Sequence, residues 1–403
     1  MTLTHSRDNV TEKFDRPSHR DRSTPMPYGL QSINDRDVEA VVEALKSGWL
    51  TTGPQVEHFE RDLASFCGTV HAVVVNSGTA ALHAAAHAIN IQEGDEVIVP
   101  AITFAATSNA VLYAGGTPVF ADVNPDTLLI DLSDAESKVT PRTKAICAVD
   151  YAGQPCDYQG LRELADRHGL RLIADACHSI GASYRGRMSG SLADVSTFSF
   201  HPVKGITTGE GGALVTSHPE IAQSARQFRN HGIDTDHRLR ARQGAHVYDQ
   251  ETLGFNYRLS DIQCALGRTQ LARLPSFVYR RAELADRYHE ALVTVDGVSP
   301  LTVLSDRVHA WHLYAVLLET ERLGISRDEA FSRLRDMNIG VNVHYRPVYQ
   351  HTYYRKRLGD LDGICPAAEA AYDRLLTLPL FPDMTAEDLD DVVYSLTRLG
   401  DPR

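Results

Sequence analysis

No stretch of this chain approaches the roughly 18 consecutive apolar residues of a membrane-spanning helix, and the N-terminus lacks the apolar centre of a secretory signal. Both absences lead to the expectation of a soluble, cytoplasmic protein with no membrane partner. Basic residues are in deficit, 40 Lys and Arg against 52 Asp and Glu, giving a net charge of −12. That argues against the broad basic face of a nucleic-acid binder, though not against a local anion pocket. Cysteine is sparse and scattered: Cys67, Cys147, Cys156, Cys177, Cys264 and Cys365 form no CxxC pair, so reduced thiols are expected rather than a disulfide frame or an iron or zinc site. The 18 histidines contain no HExxH and no clustered ligand spacing, so no metal is expected. Internal repeats and low-complexity tracts are absent too, and 43% hydrophobic with 23% charged residues is ordinary globular usage.

Against that background one lysine stands apart. Residues 198–212, FSFHPVKGITTGEGG, set Lys204 between an apolar strand and a turn rich in threonine and glycine, as a Schiff-base lysine is usually presented. Upstream, LIADACH (172–178) is an apolar strand that ends in the carboxylate of Asp175. An acid opposite a lysine is what pyridoxal phosphate (PLP) requires. The amine holds the aldehyde carbon and the acid keeps the ring nitrogen protonated so that the ring can accept electrons. A third stretch, VVVNSGTAAL (73–82), reads as strand, glycine turn and helix start, and such a turn offers N–H groups and hydroxyls to a phosphate.

The pattern around these motifs is α/β. Residues 1–25 are polar and charged, and are expected to form a disordered extension. A helix over 33–46 with Asn34 or Asp35 as N-cap comes next. Between residues 56 and 274, β-branched runs at 73–75, 96–99, 117–120, 145–149, 171–174, 195–200 and 212–216 alternate with helix-length segments. Such alternation predicts βαβ units and a mainly parallel sheet, with ligands gathering beyond the carboxyl ends of its strands. A large domain over 26–275 is therefore expected. A smaller C-terminal α+β domain over 276–403 would hold a helix at 276–292, strands at 311–318 and 340–344, and helices at 327–338 and 386–399.

The strings NSGTAAL (76–82), PAITFAATSNAV (100–111), ADACHSIGA (174–182), FSFHPVKGITTGEGGA (198–213) and GFNYRLSDIQCALG (254–267) together resemble the DegT/DnrJ/EryC1/StrS family of sugar aminotransferases. The likeness runs from about Pro27 to the C-terminus. It implies the PLP-dependent transferase fold type I, as in aspartate aminotransferase. Within the family, MPYGLQSINDRDVEAVVEALKSGWLTTGP (26–54), VDYAGQPCD (149–157) and FHPVKGITTGEGG (200–212) are most similar to the nucleotide-sugar 4-aminotransferases of pseudaminic acid biosynthesis. Those enzymes take the amino group from L-glutamate and place it on C4 of a UDP-linked 4-keto-6-deoxy-N-acetyl-hexosamine.

The resemblance also implies roles residue by residue. Lys204 would be both anchor and general base; Asp175 would pair with the ring nitrogen, and His178 would lie beside the ring. Ser77, Gly78, Thr79 and Ser199 would cradle the phosphate, Phe104 would stack on the ring, and Asn256 would reach the cofactor of a neighbouring subunit. That last role implies a homodimer with shared active sites. Tyr28, Gly29, Leu30, His344, Tyr345 and Arg346 are the candidates for the sugar nucleotide, since arginine and tyrosine suit a diphosphate and a uracil. Arg258 reads as a structural support for its loop. Gln154 and His231 match family positions near the pocket without a definable role.

Other readings stay open at this point. A GDP- or dTDP-linked sugar, or amination at C3, would use the same cofactor motifs. A sugar dehydratase is disfavoured because one such class replaces the lysine with histidine and another adds an iron–sulfur cluster, whereas this chain keeps Lys204 and lacks clustered cysteines. A non-catalytic regulator on the same fold is disfavoured by the intact Lys204, Asp175, Ser77 and Ser199 set.

Overall fold

The computed structural model describes residues 22–235 and 247–401. Its first layer is a seven-stranded sheet built from β1 (His71–Val75), β2 (Glu96–Pro100), β3 (Thr117–Ala121), β4 (Thr143–Val149), β5 (Arg171–Asp175), β8 (Val195–Ser199) and β9 (Gly212–Thr216), in the order β1-β9-β8-β5-β4-β2-β3. Only β9 runs against its neighbours; the other pairings between adjacent strands are parallel. The strands are Val-, Ile- and Ala-rich and buried on both faces, as a sheet covered by helices on each side demands. Reversal of β9 has a local effect: its first residue, Gly212, lies at the same edge as the last residues of β5 and β8, opposite Ser199.

The helix Gly78–Ala88 is mostly alanine and, apart from half-buried Thr79, buried as far as Ala86, and its small side chains let it lie against β8 and β9. Facing it across the sheet, Phe59, Leu63, Val74, Phe198, Phe200, Leu271 and Leu274 form another apolar cluster. A separate core gathers around a three-stranded antiparallel sheet of β10 (Val298–Pro300), β12 (Tyr314–Leu318) and β13 (Leu375–Leu378), with Leu284, Tyr288, Leu389 and Val392 packed on it. Two short strands, β6 (Ser183–Tyr184) and β7 (Arg187–Met188), form a hairpin, and β6 pairs on its other side with β11 (Arg307–Val308), tying the two parts together.

Several expected elements differ. The helix expected at 276–292 is the second half of a single helix, Asp261–Leu292, which carries Pro275 inside it and crosses the expected boundary at 275/276 without a break. A complete capping box at Ser260 and Gln263 fixes its start, and Leu271 and Leu274 bury one side of it in the larger core, so packing overrides the proline. Residues 340–344 do not form a strand; they make one isolated bridge, Asn342 to Thr377. The strand expected from 311 begins at Tyr314, because Trp311 adopts φ 52°, outside extended space. The first helix is Asp35–Lys46, with Asn34 as N-cap and Asp37 closing a capping box. Residues 1–21 of the expected extension lie outside the described residues, but residues 22–25 do not hang free. Arg22 pairs with Asp388 at 2.6 Å and Asp391 at 3.1 Å, and its carbonyl accepts from Asn338 Nδ2.

Candidate active site

Three chain segments end at one edge of the large sheet. β5 delivers Asp175, β8 delivers Ser199, and β1 leads after Val75 into the turn at Ser77. Ser77 N-caps the helix Gly78–Ala88, its Oγ accepting from Ala80 N at 3.1 Å. The amides of Gly78 and Thr79 therefore head an eleven-residue helix with no preceding turn to accept them, in the positive end of its dipole. Packing closes this turn from below. A Cβ on Gly78 would stand 2.7 Å from Ser199 Cβ, and one on Gly212 would stand 2.5 Å from the Ser77 carbonyl oxygen. Glycine is required at both places by close approach, and the result is a ready cradle for a phosphate beside Ser199.

Asp175 is buried. Its Oδ2 accepts from Thr107 Oγ1 at 2.7 Å and its Oδ1 from Cys177 N at 3.2 Å, while Thr107 is itself bonded to Thr103 at 2.7 Å. A carboxylate so held presents a fixed negative charge at the sheet edge. Five residues after Ser199, Lys204 lies half-buried in the turn that follows β8. Desolvation pulls its pKa down from the ordinary lysine value against the raising influence of Cys177 and Asp175. Its Nζ lies 3.4 Å from His312 Nε2.

From Lys204 a run of rings crosses the site. His312 lies 4.4 Å from His178 centroid to centroid; His178 Nε2 is bonded to Tyr345 OH at 3.1 Å; Phe104 lies 6.0 Å from Tyr345; and His344 lies 5.3 Å from Tyr28. Burial, then the charge of Lys204, holds His178 and His312 well below the usual histidine range, and the same two causes bring His344 to about 3. These imidazoles are neutral at physiological pH and act as hydrogen-bond partners rather than cations. Phe104 stays 58% exposed at the head of the helix Ala105–Tyr113, so its ring is open to a ligand. Gly29 lies against Val203, next to the lysine.

The structure thus brings Lys204, Asp175, His178, Ser199, Ser77, Gly78, Thr79, Phe104, Tyr28, Gly29, His344 and Tyr345 to one region. Leu30 and Arg346 are exposed beside these residues in sequence. Asn256 is exposed; its carbonyl accepts from Asn76 Nδ2 at 3.3 Å and its backbone bridges Asn230. Arg258 donates to Asn230 Oδ1 at 2.8 Å, a structural support for its loop. Gln154 spends both ends of its amide on the backbone of Thr302 and Leu304, and His231 meets Phe255 through its backbone N–H.

Sequence reasoning missed Thr107, Tyr151 and His312. Thr107 lies inside the quoted 100–111 string and could have been found as a hydroxyl one helical turn from Thr103. Tyr151, whose hydroxyl donates to the His344 carbonyl, lies inside the 149–157 string but is given no role there, and His312 carries no local signal. Among the described residues no group of three or more His, Cys, Asp or Glu is placed to hold a metal, and no helix is long and apolar enough to cross a membrane.

A lysine of lowered pKa, a buried carboxylate, a helix N-terminus closed by two glycines, and two buried imidazole nitrogens without partners, His178 Nδ1 and His312 Nδ1, fit a phosphorylated, ring-bearing cofactor. Fold and site together define a PLP enzyme of fold type I. The model of the DegT/DnrJ/EryC1/StrS aminotransferase family matches residues 31–397, and the chain belongs to that family, whose members are PLP-dependent sugar aminotransferases. It is 42% identical over 373 residues to the spore coat polysaccharide biosynthesis protein SpsC of Bacillus subtilis, covering 92% of this chain and 96% of SpsC. Among solved structures it is similar to Helicobacter pylori PseC, an aminotransferase involved in the biosynthesis of pseudoaminic acid (TM-score 0.87, 32% identity, 94% of this chain and 100% of PseC). It is equally similar to Streptococcus pneumoniae Spr1654 in its PLP form (TM-score 0.87, 31% identity, 94% and 99%).

Proposed function

We propose that this sugar aminotransferase moves the amino group of L-glutamate to C4 of a UDP-linked 4-keto-6-deoxy-N-acetyl-hexosamine, as in a pseudaminic acid-type pathway, and works in the cytoplasm as a homodimer with shared sites. The observation that carries the chemistry is the convergence of Lys204, Asp175 and the 77–79 turn on one sheet edge. When bound, PLP supplies an aldehyde and an electron-accepting ring. Asp175, fixed by Thr107, keeps a proton on the ring nitrogen; the Gly78 and Thr79 amides with Ser199 hold the phosphate; Phe104 covers one ring face. Lys204, its pKa lowered by desolvation, would hold the cofactor and, once displaced, carry the proton at its Nζ away from the donor Cα. The reaction then runs as a ping-pong exchange between glutamate and the keto sugar.

Likeness to PseC and the wall of Tyr28, His344 and Tyr345 support the sugar nucleotide; Leu30 and Arg346 would extend that wall. Dimerisation is supported by the helix Asp35–Lys46. It buries Asp37 and Ala44 yet leaves Val38, Val42 and Leu45 in solvent, an apolar face suited to a second copy. Exposed Asn256 would reach the cofactor of that copy. Likeness to SpsC favours a second reading, another nucleotide sugar aminated at C3 or C4. A panel of UDP-, GDP- and dTDP-linked 4-keto-6-deoxy sugars, with the product identified by NMR, separates the two. Turnover confined to dTDP- or GDP-sugars would remove the UDP assignment.

A further inference from the structure

The fold spends several unusual features on His312, a residue without a motif. Trp311 before it is held at φ 52°. Gly153 sits at φ 106°, and a Cβ there would lie 3.0 Å from the backbone nitrogens of both Trp311 and His312 and 2.9 Å from the His178 carbonyl oxygen. Ala310 N donates to Gly153 O at 2.9 Å and Leu313 N to Ala152 O at 3.1 Å, so two left-handed segments interlock. Arg281, fully buried, donates through Nη1 to Trp311 O at 3.2 Å and Leu380 O at 2.8 Å, while Leu380 N donates to Tyr28 O. Departures of this kind persist where surrounding structure over-determines them, and they concentrate at functional positions.

The clamp also carries a cost that a packing role would avoid. With Nε2 accepting from Lys204, the proton sits on Nδ1, which is buried without a hydrogen-bond partner among the described residues. An apolar side chain of similar size would fill the space without that penalty. Resting on the reading of Lys204 as anchor and base, we propose that His312 is a positioning residue for Lys204: its Nε2 accepts one N–H of the amine and fixes Nζ whenever the lysine is not holding the cofactor. A carboxylate there would hold the lysine as an ammonium ion, with no lone pair left for a proton. A neutral imidazole orients the amine without that trap. The titratable groups facing His312 are Lys204, His178, His344 and Arg281, all bases, while Cys177 and Asp175 face Lys204 from the end of the neighbouring strand β5.

Full-length His312→Leu and His312→Gln, the second keeping an acceptor, test this. Both are expected to retain wild-type cofactor content, His312→Gln with the wild-type melting temperature and His312→Leu with one equal or higher. His312→Leu should slow the single-turnover reaction with glutamate about 10²-fold, with an increased isotope effect from α-deuterated glutamate, and His312→Gln should recover about tenfold of that. In the apoprotein, the pH profile for capture of added PLP should move for His312→Leu and stay in place for His312→Gln. If His312→Leu does not fold, His312→Asn, too short to reach Nζ, replaces it with the same expectation. Wild-type rate and isotope effect in His312→Leu would overturn the proposal, as would equal losses in Leu and Gln variants with lowered cofactor content. Failure of the underlying reading is distinguishable, since wild-type protein would then take up no cofactor, or Lys204→Ala would still transfer the amino group.

Discussion

The floor of the site and its wall are built on different physical terms. The floor consists of Asp175, Ser199, Lys204 and the 77–79 turn, all within a few residues of strand ends, held by short hydrogen bonds and by glycines that allow close approach. The wall, Tyr28, His312, His344 and Tyr345, comes from segments scattered over the chain and meets mainly through ring contacts between neutral, desolvated groups. Placement by a sheet edge suits a cofactor that must stay at one place through both half-reactions. An aromatic, uncharged wall suits exchange of two different substrates over the same lysine.

Variants can sharpen that difference. Lys204→Ala should do the most, reducing turnover roughly 10⁴-fold and abolishing the visible absorbance of lysine-bound cofactor. Asp175→Asn, which keeps the Thr107 bond and removes the charge, should reduce the rate about 10²-fold with little change in the glutamate KM; an equal loss in KM would mean the charge binds substrate instead. Gly78→Val, driven against Ser199, should weaken PLP binding about tenfold or more by equilibrium dialysis, leaving the folded content unaltered by circular dichroism. On the wall, Tyr345→Phe breaks only the bond to His178, and a KM effect of about tenfold for the sugar, without a matching loss in the glutamate half-reaction, is expected. If floor and wall variants shifted the same kinetic constants, the distinction would collapse.

The smallest effect concerns stability. His344 has its pKa lowered by burial from 6.5 to about 3, so folding favours its neutral form. The stabilisation is complete above about pH 6.5, shrinks as the unfolded chain takes up the proton below that value, and is lost as pH falls through about 3. The melting temperature should therefore drop from pH 7.5 to pH 5, and His344→Gln should narrow the drop. An unchanged slope in His344→Gln would assign the acid sensitivity to the other buried histidines, such as His309, also lowered to about 3.

The floor was legible in the sequence because its determinants are local: an apolar run ending in Asp175, a glycine turn after β1, and a lysine one turn past β8. The wall was legible only in part. His344 and Tyr345 stood out by residue type, yet the expected strand around them is a single bridge, since Asn342 and Thr377 alone complete the pairing. His312 could not be found. Its position depends on Gly153 and Arg281, residues 159 and 31 positions away in the numbering of this chain, and no period or motif encodes such contacts. The helix expected from 276 starts at Asp261 instead, because buried Leu271, Leu274 and Phe277 keep it intact across Pro275 although intrinsic preference opposes proline inside a helix.

That 32-residue helix, about 48 Å long at 1.5 Å per residue, has one end in each core, like a spar through two hulls. Pro275 removes one rung of its hydrogen-bond ladder, so the spar yields most easily at midspan. Leu274, the residue before the proline, lies against Gly181 and Gly205, the glycine directly after the lysine. A bend at Pro275 would therefore act through Leu274 on the glycine beside Lys204.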